Sequence, residues 1–78
     1  MPRYYFNIYN DEVTIDEEGA EFADPGAARD YAIEQARSLA ADTVLRGYLI
    51  AHHRLEIADE RRQVIDAVHF GEAVEMRE

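Results

Sequence analysis

Histidine side chains are the first groups in this sequence that could do chemistry. The three histidines are His52, His53 and His69. Neighbouring residues of a strand point to opposite faces of a sheet, so His52 and His53 cannot easily bind one metal ion. His53 and His69 could meet on adjacent strands, with Glu56 or Asp66 nearby. The simpler interpretation is that these histidines lie at the surface or at a strand edge.

Carboxylates form the second candidate group, in the first third of the chain. Such clusters can hold Ca²⁺ or Mg²⁺. The spacing here lacks the alternation and the glycine of an EF-hand loop, so a solvated turn is the simpler interpretation. We therefore predict no cofactor and no metal. The residues concerned are Asp11 and Glu12, followed by Asp16, Glu17, Glu18 and Glu21.

Nucleophiles are scarce. The chain has one serine, Ser38, two threonines, no cysteine and no lysine. Paired carboxylates can act as acid and base, but only in a cleft that a small domain rarely builds. We therefore predict that the protein is not an enzyme. The alternative is a small metal-binding or hydrolytic protein that uses His53, His69 and nearby carboxylates.

Length and charge restrict the classes of partner. Seventy-eight residues predict a single domain, residues 1–78. The net charge is −9 and all eight basic residues are arginine, so a phosphate backbone would repel the chain and we predict no nucleic-acid binding. A basic protein partner is favoured, although acidity also keeps a small domain soluble.

The sequence has no cysteine, no apolar leader and no run of about 18 apolar residues. We therefore expect a cytoplasmic protein that does not bind membranes.

The first strand is predicted over residues 3–9, which are aromatic and β-prone. Alternation places Tyr4, Phe6 and Ile8 on its inner face. A two-residue turn at residues 10–11 leads to a second strand over residues 12–15, with Val13 and Ile15 inward. A short extended piece, residues 20–22, points Phe22 to the core.

A long helix is predicted from Pro25 to about Arg46. Asp24 can cap its first turn, Pro25 suits its first position, and Gly47 is a natural stop. Its apolar stripe consists mainly of alanine, which allows close contact with a sheet of bulky residues. The stripe comprises Ala28, Ala32, Ala36, Leu39 and Thr43, widened by Ile33, Ala40 and Val44.

Two further strands are predicted after the helix, over residues 54–58 and 63–70. Leu55 and Ile57 point inward from the first of them. In the second, a bulge near Asp66 would restore the alternation of apolar residues. Residues 71–76 predict either a helical turn or an edge strand. The predicted fold class is α+β, with an antiparallel sheet of four to five strands, one long helix on one face, and the order β-β-β-α-β-β.

The outward face of the first strand is the predicted protein-binding site. Exposed tyrosines suit recognition because each offers a large area, a polar tip and little rotamer entropy to lose. Tyr5 and Tyr9 would anchor an unidentified, basic protein or a second copy of the chain, while Glu12 and Glu56 would steer it. An unpaired strand edge is the other candidate surface. The six predicted binding residues are Tyr5, Asn7, Tyr9, Glu12, Arg54 and Glu56, and Thr14 is predicted to lie beside them on the same face.

The opening Pro2-Arg3-Tyr4-Tyr5-Phe6 resembles a family of short bacterial proteins known only as a domain of unknown function. That family also has an Asp-x-x-Gly-x-Glu pattern, here from Asp16 to Glu21, then an aspartate, an alanine-rich helix and a Phe-x-x-Ala-Val ending, here residues 70–74. The resemblance implies a stand-alone α+β domain with no known activity. A looser similarity to HicB-type antitoxin domains hints at protein–protein binding. The predicted function is a non-enzymatic interaction domain, an adaptor or inhibitor-like module.

Overall fold

A computed structural model describes residues 1–75 and 77 of the chain. The elements are β1 Arg3–Tyr9, β2 Val13–Thr14, β3 Ala20–Glu21, α1 Pro25–Leu45, β4 Arg54–Ala58, β5 Val64–His69 and α2 Phe70–Ala73. The five strands pair antiparallel in the order β2-β1-β4-β5, and β3 also pairs with β1. One long helix lies against this sheet, so the α+β class and the order β-β-β-α-β-β are confirmed.

The phase of β1 decides which side of the sheet meets the helix. Tyr4 and Phe6 are buried, and Ile8 packs against the same core. Phe22 and Tyr31 stand edge-on to the Phe6 ring, with centroids 5.7 and 5.0 Å away, a favourable aromatic arrangement. The predicted inner face of β1 is therefore confirmed, and Tyr5, Asn7 and Tyr9 lie on the opposite side.

α1 buries a row of alanines on this aromatic layer, as predicted. Ala28, Ala32, Ala36 and Ala40 are buried one turn apart, because side chains at i and i+4 share one helix face. The contact with the sheet ends there, and Val44 is 56% exposed. The prediction that Val44 belongs to the buried stripe is therefore wrong.

The ends of α1 follow their sequence signals. Asp24 caps the first turn by accepting a hydrogen bond from the Ala27 amide at 2.8 Å. Pro25 occupies the first position, where no amide is needed. Gly47 adopts φ +98° just after the helix, in the left-handed region that ends many helices. The predicted bounds agree with the structure to within one residue.

The first hairpin differs from its prediction by one residue. Tyr9 pairs with Val13, so the turn has three residues, and it is closed by a bond from the Asn10 amide to the Glu12 carbonyl. One extra turn residue inverts the phase of the returning strand. Val13 therefore lies beside Tyr9 on the outward side, whereas Thr14 pairs with Ile8 on the helix side. The predicted inward placement of Val13 and outward placement of Thr14 are both wrong.

Ile15 lies beyond the end of β2 and is 50% exposed, so the expectation that it joins the core is wrong. The strand β5 contains the predicted irregularity. Ile57 pairs with Asp66 and Ala58 with Val64, which leaves Ile65 as an extra residue. This bulge next to Asp66 reverses the phase of the strand, so that Val64 is exposed whereas Val68 faces the core beside Leu55.

The chain continues from β5 directly into α2, so the helical alternative for this segment is correct. Met76, at its predicted end, lies outside the described residues. Among the described residues, neither helix combines the length and apolar character that crossing a membrane requires.

Candidate functional site

The outward face of the sheet brings together five of the six residues predicted to bind a protein. Antiparallel register places Tyr5 beside Ala58, Asn7 beside Glu56, and Tyr9 beside Arg54. Paired residues of an antiparallel ladder point to the same side of the sheet. The sixth residue, Glu12, lies in the preceding turn, and Val13 occupies the position beside Tyr9.

Tyr9 carries an arginine on its ring. The guanidinium carbon of Arg54 lies 4.4 Å from the ring centroid, within cation–π range. The Nε of Arg54 also donates to a carboxylate oxygen of Glu56 at 3.0 Å. Tyr9, Arg54 and Glu56 therefore form one connected cluster, in which the negative charge of Glu56 is already compensated.

Tyr5 carries a second arginine that was absent from the predicted set. The guanidinium carbon of Arg62 lies 3.6 Å from the Tyr5 ring centroid, and its Nη1 donates to the Asp16 carbonyl at 2.6 Å. Arg62 stands in the turn between β4 and β5 with φ +65°. The predicted strands at residues 54–58 and 63–70 leave this turn at residues 59–62, but the sequence does not show where the Arg62 side chain points, because its partner is distant in sequence.

Asn7, on the outward face of β1, fixes the position of the loop that contains Asp16. It is 8% exposed, and its Oδ1 accepts a hydrogen bond from the Asp16 amide at 3.0 Å. A buried amide with a backbone partner holds a loop in place. Asn7 therefore forms the floor of the outward face, with Tyr5 and Tyr9 half-buried on either side of it.

Asp16 organises the edge of β1 opposite β4. Its Oδ2 accepts from the Phe6 amide at 3.1 Å, and its Oδ1 accepts from the Glu18 and Gly19 amides at 3.1 and 3.0 Å. Burial alone would raise the pKa of Asp16, but these backbone donors and the Arg62 charge outweigh it, so the pKa is lowered. The carboxylate thus fills the gap between β2 and β3 along β1.

The free edge of β5 is occupied by side chains of the same molecule. The Phe70 amide donates to the His53 carbonyl. Because successive backbone amides of a strand point to alternate sides, the Ala67 and His69 amides point away from β4. The Ala67 amide bonds to Asp66, and the His69 amide bonds to Glu72. Native edge strands are often protected in this way, and the edge is therefore less suited to strand pairing than predicted.

The two histidines of the alternative hypothesis lie on different sides of the sheet. His53 is buried, 5.9 Å from the Phe70 ring between centroids, and its Nε2 is 3.7 Å from an Asp11 oxygen. His69 pairs with Arg54 on the outward side and contacts Glu72. Among the described residues, no group of three or more potential ligands could hold a metal ion.

The acidic turn has a structural role as well. Gly19 adopts φ +69°, and a Cβ there would lie 2.7 Å from the Tyr4 carbonyl oxygen, so only glycine fits without a shift. Glu21 pairs with Arg3 at 3.2 Å. The Asp-x-x-Gly-x-Glu pattern thus describes a loop that fastens β2 and β3 to β1.

Comparison with known protein families identifies the family of the chain. No curated protein and no solved structure shows a significant match to the chain. The looser similarity to HicB-type antitoxins receives no support from them. The family model described as "Domain of unknown function (DUF6894)" matches residues 3–71, a span that runs from β1 into α2. The chain therefore belongs to the DUF6894 family.

Proposed function

We propose that the protein is a non-enzymatic protein-binding domain, an adaptor or inhibitor-like module that acts in the cytoplasm. The observation that supports it is the pair of tyrosine–arginine stacks on the face of the sheet that α1 leaves uncovered. The lack of cysteine agrees with a reducing compartment.

The stacks suit recognition because they are arranged before any partner arrives. Tyr5 and Tyr9 stand on a strand paired on both edges, and each ring is restrained by a guanidinium group. Rings already held in place lose little entropy on binding. Tyrosine and arginine are also the residue types that most often dominate binding energies at interfaces.

The charge of the molecule supports a basic protein as the partner. The net charge of −9 attracts such a protein over long range. Glu12 is exposed at the rim of the face, and we assign steering to it rather than to Glu56, whose charge Arg54 compensates. Two copies of the chain would each carry −9 and repel each other, so a different protein is the better partner than a homodimer.

A double variant, Tyr5→Ala with Tyr9→Ala, tests this proposal. Wild-type and variant proteins are immobilised and exposed to lysate of the native host, and captured proteins are quantified by mass spectrometry. A specific partner should fall at least tenfold with the variant, because losing each anchor costs about 2 kcal/mol at a binding hot spot. Its affinity is then measured with purified proteins by calorimetry.

Tyr48→Ala is the matched control, because Tyr48 is an exposed tyrosine in the connection after α1. It should keep every partner. Circular dichroism and amide NMR spectra establish that the double variant is folded. A folded double variant that retains all partners with unchanged affinity contradicts the proposal.

A further inference from the structure

A second surface lies on the helix side of the sheet, between α1 and the loop that joins β2 to β3. It is an open groove of about 490 Å³, within the usual size of ligand sites. The floor is formed by β1 and β4, and the walls by the helix and the loop. Its lining includes Phe6, Ile8, Ile15, Tyr31, Gln35 and Leu55, together with the acidic residues of the loop.

The groove offers apolar surface at different depths. Phe6 and Leu55 are buried at its base, while Ile8 and Tyr31 are partly exposed. Ile15 is 50% exposed on the loop wall, although isoleucine is among the residue types most often buried. A bulky apolar side chain entering the groove would meet apolar groups from below and from both walls.

The rim of the groove is acidic. Glu17 and Glu18 are exposed there and place two carboxylates on the rim. The Asp16 carboxylate is engaged by backbone amides and is therefore a fixed part of the wall. None of the lining residues is basic. An occupant with positive charge beside an apolar group would be complementary to both features.

We propose that this groove binds a segment of another protein in which one bulky apolar side chain is flanked by arginine or lysine. The groove is open to solvent, so a side chain can enter it while the backbone that carries it stays outside. It lies on the opposite side of the sheet from the tyrosine–arginine face and is independent of the function proposed for that face. The molecule would then engage partners on two sides.

The probe is a capped seven-residue peptide with a central leucine, two serines and four arginines, titrated into ¹⁵N-labelled protein at low salt. We expect saturable shifts of amides at Ile8, Ile15, Tyr31 and Gln35, weakened by added salt because the attraction is partly electrostatic. Replacing the central leucine by serine should weaken binding about fivefold. Replacing the arginines by glutamate should abolish it.

Variants of the protein locate the binding energy. Glu17→Gln with Glu18→Gln should weaken the peptide about three- to tenfold, because two exposed ion pairs are lost. Ile15→Ser should weaken it about fivefold. Glu60→Gln with Glu75→Gln is the charge-matched control, Ile65→Ser is the apolar control, and Tyr5→Ala tests independence from the other face. All three controls should retain wild-type affinity.

Three outcomes overturn the proposal. The first is no saturable shift at millimolar peptide. The second is equal binding of the leucine and serine peptides, which would mean that the acidic rim attracts any polycation. The third is tighter binding of a short-chain alkyltrimethylammonium ion at the same amides, with loss of peptide binding in competition, which would make the groove a small-molecule site.

Discussion

Asp16 is the side chain on which most of the N-terminal half depends. It accepts hydrogen bonds from three backbone amides, while its own amide donates to Asn7 and its carbonyl accepts from Arg62. Charged acceptors make the stronger hydrogen bonds in proteins. A single residue thus joins β1, the acidic loop and the turn after β4.

We predict that Asp16→Asn lowers the free energy of unfolding by about 1–3 kcal/mol at pH 7, because the new amide group faces a donor and leaves it unpaired. The folded pKa of Asp16 lies below its ordinary value of 3.8. Its stabilising contribution is therefore fully present above that value and is lost as the pH falls through the lower folded pKa.

The check is urea unfolding of both proteins from pH 7 down to pH 2.5. The difference between them should be constant near neutrality and shrink only below about pH 3.8. Glu17→Gln, at an exposed position one residue away, should change stability by less than about 0.5 kcal/mol at pH 7. A variant as stable as the wild type at pH 7 would contradict the role given to this carboxylate.

The tyrosine–arginine contacts also belong to the residue scale. Strand alternation was sufficient to place Tyr5 and Tyr9 on the outward side, whereas the arginines that stack on their rings could be identified only from the folded structure. Arg54 lies on the adjacent strand, and Arg62 comes from a turn more than fifty residues along the chain. The predicted row of free tyrosines is therefore a row of stacked pairs over a floor formed by Asn7.

At the scale of elements, β1 acts as the centre of the sheet. β4 covers one edge, and β2 and β3 share the other, with Asp16 between them. The outer strand β5 is protected by bonds from its own backbone to Asp66 and Glu72. Both edges of β1 are thus paired and the β5 backbone is bonded at Ala67 and His69, and both proposals use a face or a groove instead of a strand edge.

Two glycines with positive φ, just before β3 and after α1, can be compared by the same substitution. We predict that Gly19→Ala costs at least about 1–2 kcal/mol more than Gly47→Ala. Both substitutions strain the backbone by about 1 kcal/mol. Only at Gly19 would the new Cβ meet backbone, 2.7 Å from the Tyr4 carbonyl oxygen, whereas nothing lies within 4 Å at Gly47. Thermal and urea unfolding of the two variants measure the difference. Equal losses would show that β3 can shift at no cost.

At the scale of the whole molecule, net charge sets the balance between compactness and repulsion. Seventeen acidic residues face eight arginines in a chain of 78 residues. The side chains of the Asp42–Arg46 and Arg77–Glu75 pairs are exposed, and exposed pairs contribute little to stability. Repulsion among the remaining carboxylates is therefore the larger electrostatic effect on folding.

We predict that raising sodium chloride from 0.02 to 0.2 M increases the free energy of unfolding, on the order of 1 kcal/mol, because salt screens this repulsion. Urea titrations at pH 7 at both salt concentrations measure it. The triple variant Glu17→Gln, Glu18→Gln and Glu60→Gln should show a smaller increase. A decrease in wild-type stability with salt would mean that ion pairs outweigh the repulsion.

The sequence by itself determined the local features of this protein. The bounds of β1, α1 and β4, the inner face of β1, the alanine contact and the bulge beside Asp66 could be read from it, because periodicity, capping and turn chemistry depend on residues close in the chain. The resemblance to a family of unknown function also came from the sequence, and the structure explains its Asp-x-x-Gly-x-Glu motif as the loop that fastens β2 and β3 to β1.

Only the tertiary structure decided features that join distant parts of the chain. Because the turn has a third residue, Val13 and Thr14 each lie on the face opposite to the predicted one, since one extra residue inverts the phase of a strand. The stacking of Arg62 on Tyr5, the bonds of Asp16 and the groove beside Ile15 all arise where separate elements meet. Contacts between elements depend on how the whole sheet and helix pack, which no local pattern records.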